Sequence, residues 1–182
     1  MAGPYGYAGQ ILKVDLSSKE ISKILNTNIL GTAHGVKVAV KGMLEGDGGK
    51  IFNLEGYGSD SKRVMPGMNF YGTTKAAITF YSKSLALELK DTPIIAGTLR
   101  PGMVLTDMIL SQYEDRREEF EKFKRILNLI ADLPENVAPV LARRMLSCEK
   151  NGEIINYLSR GRMMFRFMTA PFSKRDLFRD QT

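Results

Sequence analysis

The sequence predicts an α/β protein in which a parallel sheet is covered by helices on both faces. Three observations carry that prediction. Short apolar runs, "KIFNLEG" from Lys50, "IIAGTL" from Ile94 and "GEIINYL" from Gly152, have the length and bounding residues of buried strands. Long stretches of helical periodicity separate them. Strands joined through helices of this length need parallel crossovers, which places the helices over the sheet faces.

The elements follow in order. Ser17 and Glu20 in "SSKE" form a capping box, in which side chains satisfy the free amide groups of a helix start. Ile21, Leu25, Asn28, Thr32, Val36 and Val40 then recur at helical spacing, with Asn28 the polar member of an otherwise mostly apolar stripe. Gly46, Asp47, Gly48 and Gly49 end that helix ahead of the first strand. The polar, glycine-rich loop "YGSDSKRVMPGMN" leads into a second long helix, about Tyr71 to Lys90, with Ala76, Phe80 and Leu87 among its apolar positions. Pro93 precedes the second strand, and "RPG" at Arg100–Gly102 stops it, because proline cannot donate to a ladder and glycine permits a sharp turn. "YEDRREEFEKFKR" is expected to be a solvated helix. Another helix begins near Pro134, which suits a first turn, whereas Pro139 fits less well. The third strand closes the series.

Composition narrows the function. With 182 residues, 43% hydrophobic and 25% charged, the chain has the make-up of a globular domain long enough to bury a core. Its single cysteine, Cys148, cannot form an internal disulfide, and no Cys/His cluster has metal-ligand spacing, so a reducing compartment and no metal are expected. There is no visible secretion signal and no apolar run of the roughly 20 residues needed to span a bilayer. A cytoplasmic location is expected. The net charge of +6 is uneven: residues 159–182 carry six basic against two acidic side chains, and the rest is nearly neutral. No nucleic-acid-binding motif accompanies it, so nucleic acid is not expected as a partner. The lone histidine, His34, is read as structural.

The segment "FYGTTKAA" places Tyr71 and Lys75 one helical turn apart, on one face of the second long helix at its start. Taken alone the pair is unspecific. In order, the chain presents Asn28 in the first helix, a Gly/Ser loop after the next strand, Y-x-x-x-K, a strand ending in Pro101-Gly102, and then V-x-T at Val104 and Thr106. That order resembles the second half of the short-chain dehydrogenase/reductase family, from about Ala2 to Leu158. The resemblance implies the C-terminal part of a Rossmann-like, doubly wound parallel sheet, followed by a basic Met/Phe-rich tail over 159–182. It also implies an NAD(P)-dependent carbonyl reductase or alcohol dehydrogenase, with NADP(H) or NAD(H) as cofactor and a small-molecule carbonyl or alcohol as substrate.

By that resemblance Tyr71 is the acid/base. A free tyrosine, with a pKa near 10, is a poor base, and a neighbouring ammonium together with an oxidised nicotinamide would favour the phenolate. Lys75 would hold the nicotinamide ribose hydroxyls, and Asn28 would distort its helix and help link the lysine to solvent. Pro101, Gly102, Val104 and Thr106 would lie at the nicotinamide end of the cofactor. Most members of the family carry a pair of serines straight after the strand, where this chain has Glu55 and Gly56. Ser59 is therefore expected to polarise the substrate carbonyl, with Ser61 in the same loop as the alternative. "IFNLEGYGSD" followed by "FYGTTK" is similar to the chlorophyll(ide) b reductase branch, which reduces a formyl group on a tetrapyrrole with NADPH.

The family's T-G-x-x-x-G-x-G phosphate turn and the βα units around it have no counterpart here. Gly42, Gly46 and Gly48 match a bare G-x-x-x-G-x-G but end a helix and lead into a strand, the reverse of the required context. Three readings are open: a reductase fragment lacking its N-terminal βαβ units, a non-catalytic binding or assembly protein of the same fold, or a short reductase completed by a partner chain. The two long helices are expected to form a homo-oligomer interface. The tail, "SRGRMMFRFMTAPFSKRDLFRD", is expected either to contact a membrane surface or a large apolar substrate, or to form a C-terminal helix packed on its own domain or a dimer partner.

Overall fold

The structure is a computed structural model and describes residues 18–62, 64, 68–110, 117–170 and 175–178. They divide into two units, one holding the chain up to Leu99 with Met145–Ile155, the other Arg100–Arg144 with the chain from Asn156.

In the first unit the stripe from Ile21 to Val40 lies on one continuous helical stretch, but its winding changes. Helix α1 spans Ser18–Leu25, Asn26–Leu30 form a π-helical turn, and α2 spans Gly31–Glu45. A π turn widens the hydrogen-bonded ring and is an uncommon insertion, and Asn28 sits at its centre. Val36 is buried from this stretch, whereas His34 is exposed. The capping box at Ser17 and Glu20 falls outside the residues whose side chains are described.

Strand β1, Gly49–Leu54, and strand β2, Ile94–Arg100, are joined by helix α3, Asn69–Glu88, and pair in parallel from Gly49 opposite Ile94 to Leu54 opposite Leu99. Strand β5, Ile154–Asn156, is shorter than its apolar run predicts and adds to the other edge of β2, giving the order β1-β2-β5. This is the α/β arrangement with a parallel sheet that the periodicities predict, and it is Rossmann-like as the family resemblance implies. The core gathers Val36, Ile51, Leu85, Ala86, Leu89, Ile94 and Ala96.

The buried face of α3 does not follow its largest apolar residues. Phe80 and Leu87 are 76% and 72% exposed, and the face turned inward runs through Thr74, Ile78, Ser82 and Leu85 to Ala86. Two of these are small and polar because their hydroxyls are satisfied inside the fold. Ser82 Oγ donates to the Ile78 carbonyl at 2.8 Å and accepts from Asn53 Nδ2 at 2.9 Å, tying α3 to β1.

The second unit contains the two-residue parallel strands β3, Met103–Val104, and β4, Ala131–Asp132, with helices α4, Asp107–Leu110, α5, Arg117–Ile130, α6, Pro134–Leu146, and α7, Arg160–Thr169. Helix α5 is more than a solvated helix. Leu127 is fully buried, Phe120 and Phe123 pack into the unit's core, and the Phe120 ring meets Phe178 edge-on at 5.2 Å. Pro139 lies inside α6 on an exposed position, as does Glu135, whose carbonyl is the acceptor that Pro139 has no amide hydrogen to reach. Residues of the 159–182 segment also belong to this core, through Leu177 and Phe178.

Candidate active site

Where β1 ends, the chain must leave the sheet and return to the start of α3 within a short loop. Gly56 and Ser59 close a turn: the Ser59 amide donates to the Gly56 carbonyl at 3.2 Å, and the Gly56 amide donates back to Ser59 Oγ at 3.0 Å. Gly58 then crosses α3 with φ +91°, and a Cβ there would sit 2.6 Å from Gly72 Cα. Only glycine combines that backbone conformation with so close an approach. The crossing seats the loop directly against the helical turn that carries Tyr71.

Tyr71 and Lys75 are half-buried on that turn. A Cβ added to Gly56 would lie 2.6 Å from the Tyr71 hydroxyl and 3.0 Å from Lys75 Cε, so the phenol and the lysine stem face the bare backbone of Gly56. Lys75 Nζ donates to the Leu54 carbonyl at the end of β1 at 3.3 Å and lies 5.7 Å from the centroid of the Tyr71 ring. Burial pushes the Tyr71 phenol above its ordinary value and pushes Lys75 below its own. The lowering expected from the sequence is for the phenol beside both the ammonium and an oxidised nicotinamide. In the chain itself burial acts alone on the phenol, which keeps its proton at neutral pH.

Asn28 reaches the same place from the π turn. Its Nδ2 donates to Thr74 Oγ1 at 3.0 Å, and Thr74 Oγ1 donates to the Tyr71 carbonyl at 2.8 Å. Thr74 is fully buried. A residue absent from the sequence reading thus connects Asn28 to the backbone of the tyrosine. The signal was present in "YGTTK", as a polar residue on the buried face one position before the lysine.

Ser59, expected to polarise the substrate carbonyl, lies in the same turn. It is buried, and its hydroxyl donates to the Lys75 carbonyl at 3.3 Å while accepting from the Gly56 amide, so its proton is directed at the helix backbone. Ser61 is exposed, with φ 55°. Glu55 is buried beside Gly56, and its Oε1 accepts from Thr98 Oγ1 at 2.8 Å, which locks the ends of β1 and β2 together below the site. Pro101, Gly102, Val104 and Thr106 belong to the second unit. Val104 pairs with Asp132, and the Thr106 carbonyl accepts from the amides of Ile109 and Leu110 at the start of α4. Gly42, Gly46 and Gly48 lie at the end of α2 and in the turn into β1, where the Gly48 amide donates to the Met43 carbonyl.

A parallel α/β sheet with a tyrosine and a lysine one turn apart beside the end of a strand defines a class of oxidoreductase folds. The family profile described as short chain dehydrogenase matches residues 6–117, and the chain belongs to that family. Among curated relatives, the probable chlorophyll(ide) b reductase NYC1, chloroplastic, of Oryza sativa subsp. japonica is 35% identical over 86% of this chain and 30% of its own length. The chlorophyll(ide) b reductase NOL, chloroplastic, of Arabidopsis thaliana is 31% identical over 84% of this chain and 43% of its own. The chain therefore spans well under half the length of these relatives. Among solved structures, ElxO with NADP bound superposes with a TM-score of 0.64 at 24% identity, covering 80% of this chain and 59% of that one. The closed form of serine dehydrogenase complexed with NADP+ gives 0.62 at 21%, covering 78% and 56%. Both show the same fold. The relatives' chloroplastic names stand against the cytoplasmic location expected from the sequence. Among the described residues no helix is long and apolar enough to cross a membrane.

Proposed function

We propose that the chain carries the acid half of a carbonyl-reducing site, with Tyr71 as proton donor to the oxygen of a formyl or keto group. The single observation that carries this reading is the Tyr71 hydroxyl facing Gly56, flanked by Lys75 one turn on. Burial keeps the phenol protonated, which suits donation in the reducing direction. Lys75 has three N–H donors, and its bond to Leu54 engages one, so it fits the family's role of holding the nicotinamide ribose hydroxyls. When bound, NADP(H) or NAD(H) supplies or accepts the hydride. The NADP-bound neighbours of the same fold support a nicotinamide cofactor. Pro101, Gly102, Val104 and Thr106 are proposed for its nicotinamide end on the family pattern.

Asn28 and Thr74 hold the turn under Tyr71, and Ser59 ties the Gly56 turn to α3. The substrate class rests on the Glu55-Gly56 pair, which is shared with the chlorophyll(ide) b reductase branch and points to a formyl-bearing tetrapyrrole; the missing Gly56 side chain is what lets the Tyr71 hydroxyl and the Lys75 stem lie against this turn. A second copy of the chain is proposed on the outer faces of α2 and α3, where Val38, Phe80 and Leu87 are largely exposed.

The test is chlorophyllide b reduction with NADPH, read at the pigment's absorption change, beside NADPH binding by fluorescence. Tyr71→Phe is expected to lose most of the reduction, about 100-fold or more, while keeping cofactor binding. Unchanged turnover in Tyr71→Phe removes the tyrosine from the chemistry. Failure of the unsubstituted chain to bind NADPH favours the non-catalytic reading instead.

A further inference from the structure

Helix α7 is amphipathic in the reverse sense for a surface helix, and this observation is independent of the reductase site. Such helices normally turn apolar side chains inward and charges outward. Here Arg166 points inward, donating to Asp132 Oδ2 at 2.6 Å and to the Ala131 carbonyl at 3.3 Å. Met164, Phe165, Phe167 and Met168 are 63%, 65%, 51% and 71% exposed. At 3.6 residues per turn these four occupy an arc of about 160° whose centre lies opposite Arg166. The helix is capped by Ser159, whose Oγ accepts from the Arg162 amide at 3.2 Å. Its backbone is thus ordered before anything meets the apolar face.

Charge selects the occupant. Residues 159–182 carry six basic and two acidic side chains, and Arg162 is exposed. Arg166 and Arg175 both pair with Asp132. A second copy would bring like charge against like. A bilayer with anionic headgroups meets both features at once, because Met and Phe enter the acyl boundary while arginines stay at headgroup level. We propose that α7 docks the protein on an anionic membrane surface, held rigidly by the Arg166–Asp132 clamp and inserting Met164, Phe165, Phe167 and Met168.

The experiment is vesicle flotation of the full chain, with phosphatidylcholine alone and with added phosphatidylglycerol, alongside light scattering for oligomeric state. Binding is expected to the phosphatidylglycerol vesicles and to weaken with salt. Phe165→Ser with Met168→Ser should lower partitioning by roughly tenfold or more, and Arg162→Gln by roughly fivefold. Absence of binding, equal binding to both vesicle types, or binding unchanged by the double substitution overturns the proposal. So does a dimer that dissociates when the two apolar residues are replaced. Should the double variant lose its fold, the comparison of vesicle types and Arg162→Gln still decide.

Discussion

Replacing Thr74 by valine tests whether the hydroxyl between Asn28 and Tyr71 organises the site. The side chain is fully buried, so a valine of nearly the same shape leaves little cavity and the loss is of hydrogen bonding. Two bonds go, at 3.0 Å from Asn28 Nδ2 and at 2.8 Å to the Tyr71 carbonyl. The carbonyl remains on a helix, whereas the asparagine amide loses its partner in a partly buried place, at a cost of about 1–3 kcal/mol. A net loss of about 1.5 kcal/mol is expected. With a urea slope of about 2 kcal/mol/M for a protein of this size, the unfolding midpoint should fall by about 0.7 M. Asn28→Ala removes the other end of the bond. In the double variant no donor is stranded, so the combined loss should fall short of the sum by about 1 kcal/mol. Circular dichroism during urea titration measures all three. Losses additive within about 0.3 kcal/mol, or an unchanged midpoint in Thr74→Val, would refute the link.

Two further outcomes follow from distances and charge. Gly56→Ser, which restores the family's usual residue type, places a Cβ 2.6 Å from the Tyr71 hydroxyl and should displace it. Reduction is expected to fall at least about tenfold, with a stability loss of about 1–3 kcal/mol, and a rate equal to the unsubstituted chain would show that the site accepts a serine. At Asp132, burial pushes the carboxyl up, but hydrogen bonds from Arg166, Asn136, Tyr157 and the Leu133 amide outweigh it and hold it at about 2. Its folded value is below the unfolded one, so its contribution of about 2 kcal/mol is full above about pH 5 and lost as pH falls toward 2. Urea midpoints at about pH 6 and pH 3 should therefore differ less in Asp132→Asn than in the unsubstituted chain, and equal differences would exclude the carboxylate as the source.

Much of the site was legible because its residues are set by local spacing. Tyr71 and Lys75 share a face through the helical repeat alone, and the order from Asn28 to Thr106 identified the family. Glycine and proline marked the ends of β1 and β2. The buried face of α3 was not legible for a physical reason: hydrophobicity ranks Phe80 and Leu87 above Thr74 and Ser82, but a hydroxyl that finds partners can be buried, and a long apolar residue on the outer face stays exposed. Helix α5 was read from its charges, although three of its positions, Phe120, Phe123 and Leu127, suffice to anchor it.

By itself the sequence determined the strands and helices, the parallel connection, the turn-spaced phenol and ammonium, and the positive excess of the last residues. Those depend on patterns within a few turns of chain. Tertiary structure decided which hydroxyl bridges Asn28 and Tyr71, that Ser59 spends its proton on the Lys75 carbonyl, and that burial sets the sign of the Tyr71 shift. It also decided that Asp132 gathers Arg166 and Arg175 from 34 and 43 positions away and so turns the apolar side of α7 outward. Desolvation and hydrogen-bond partnership belong to groups brought together in space, and a one-dimensional pattern carries neither.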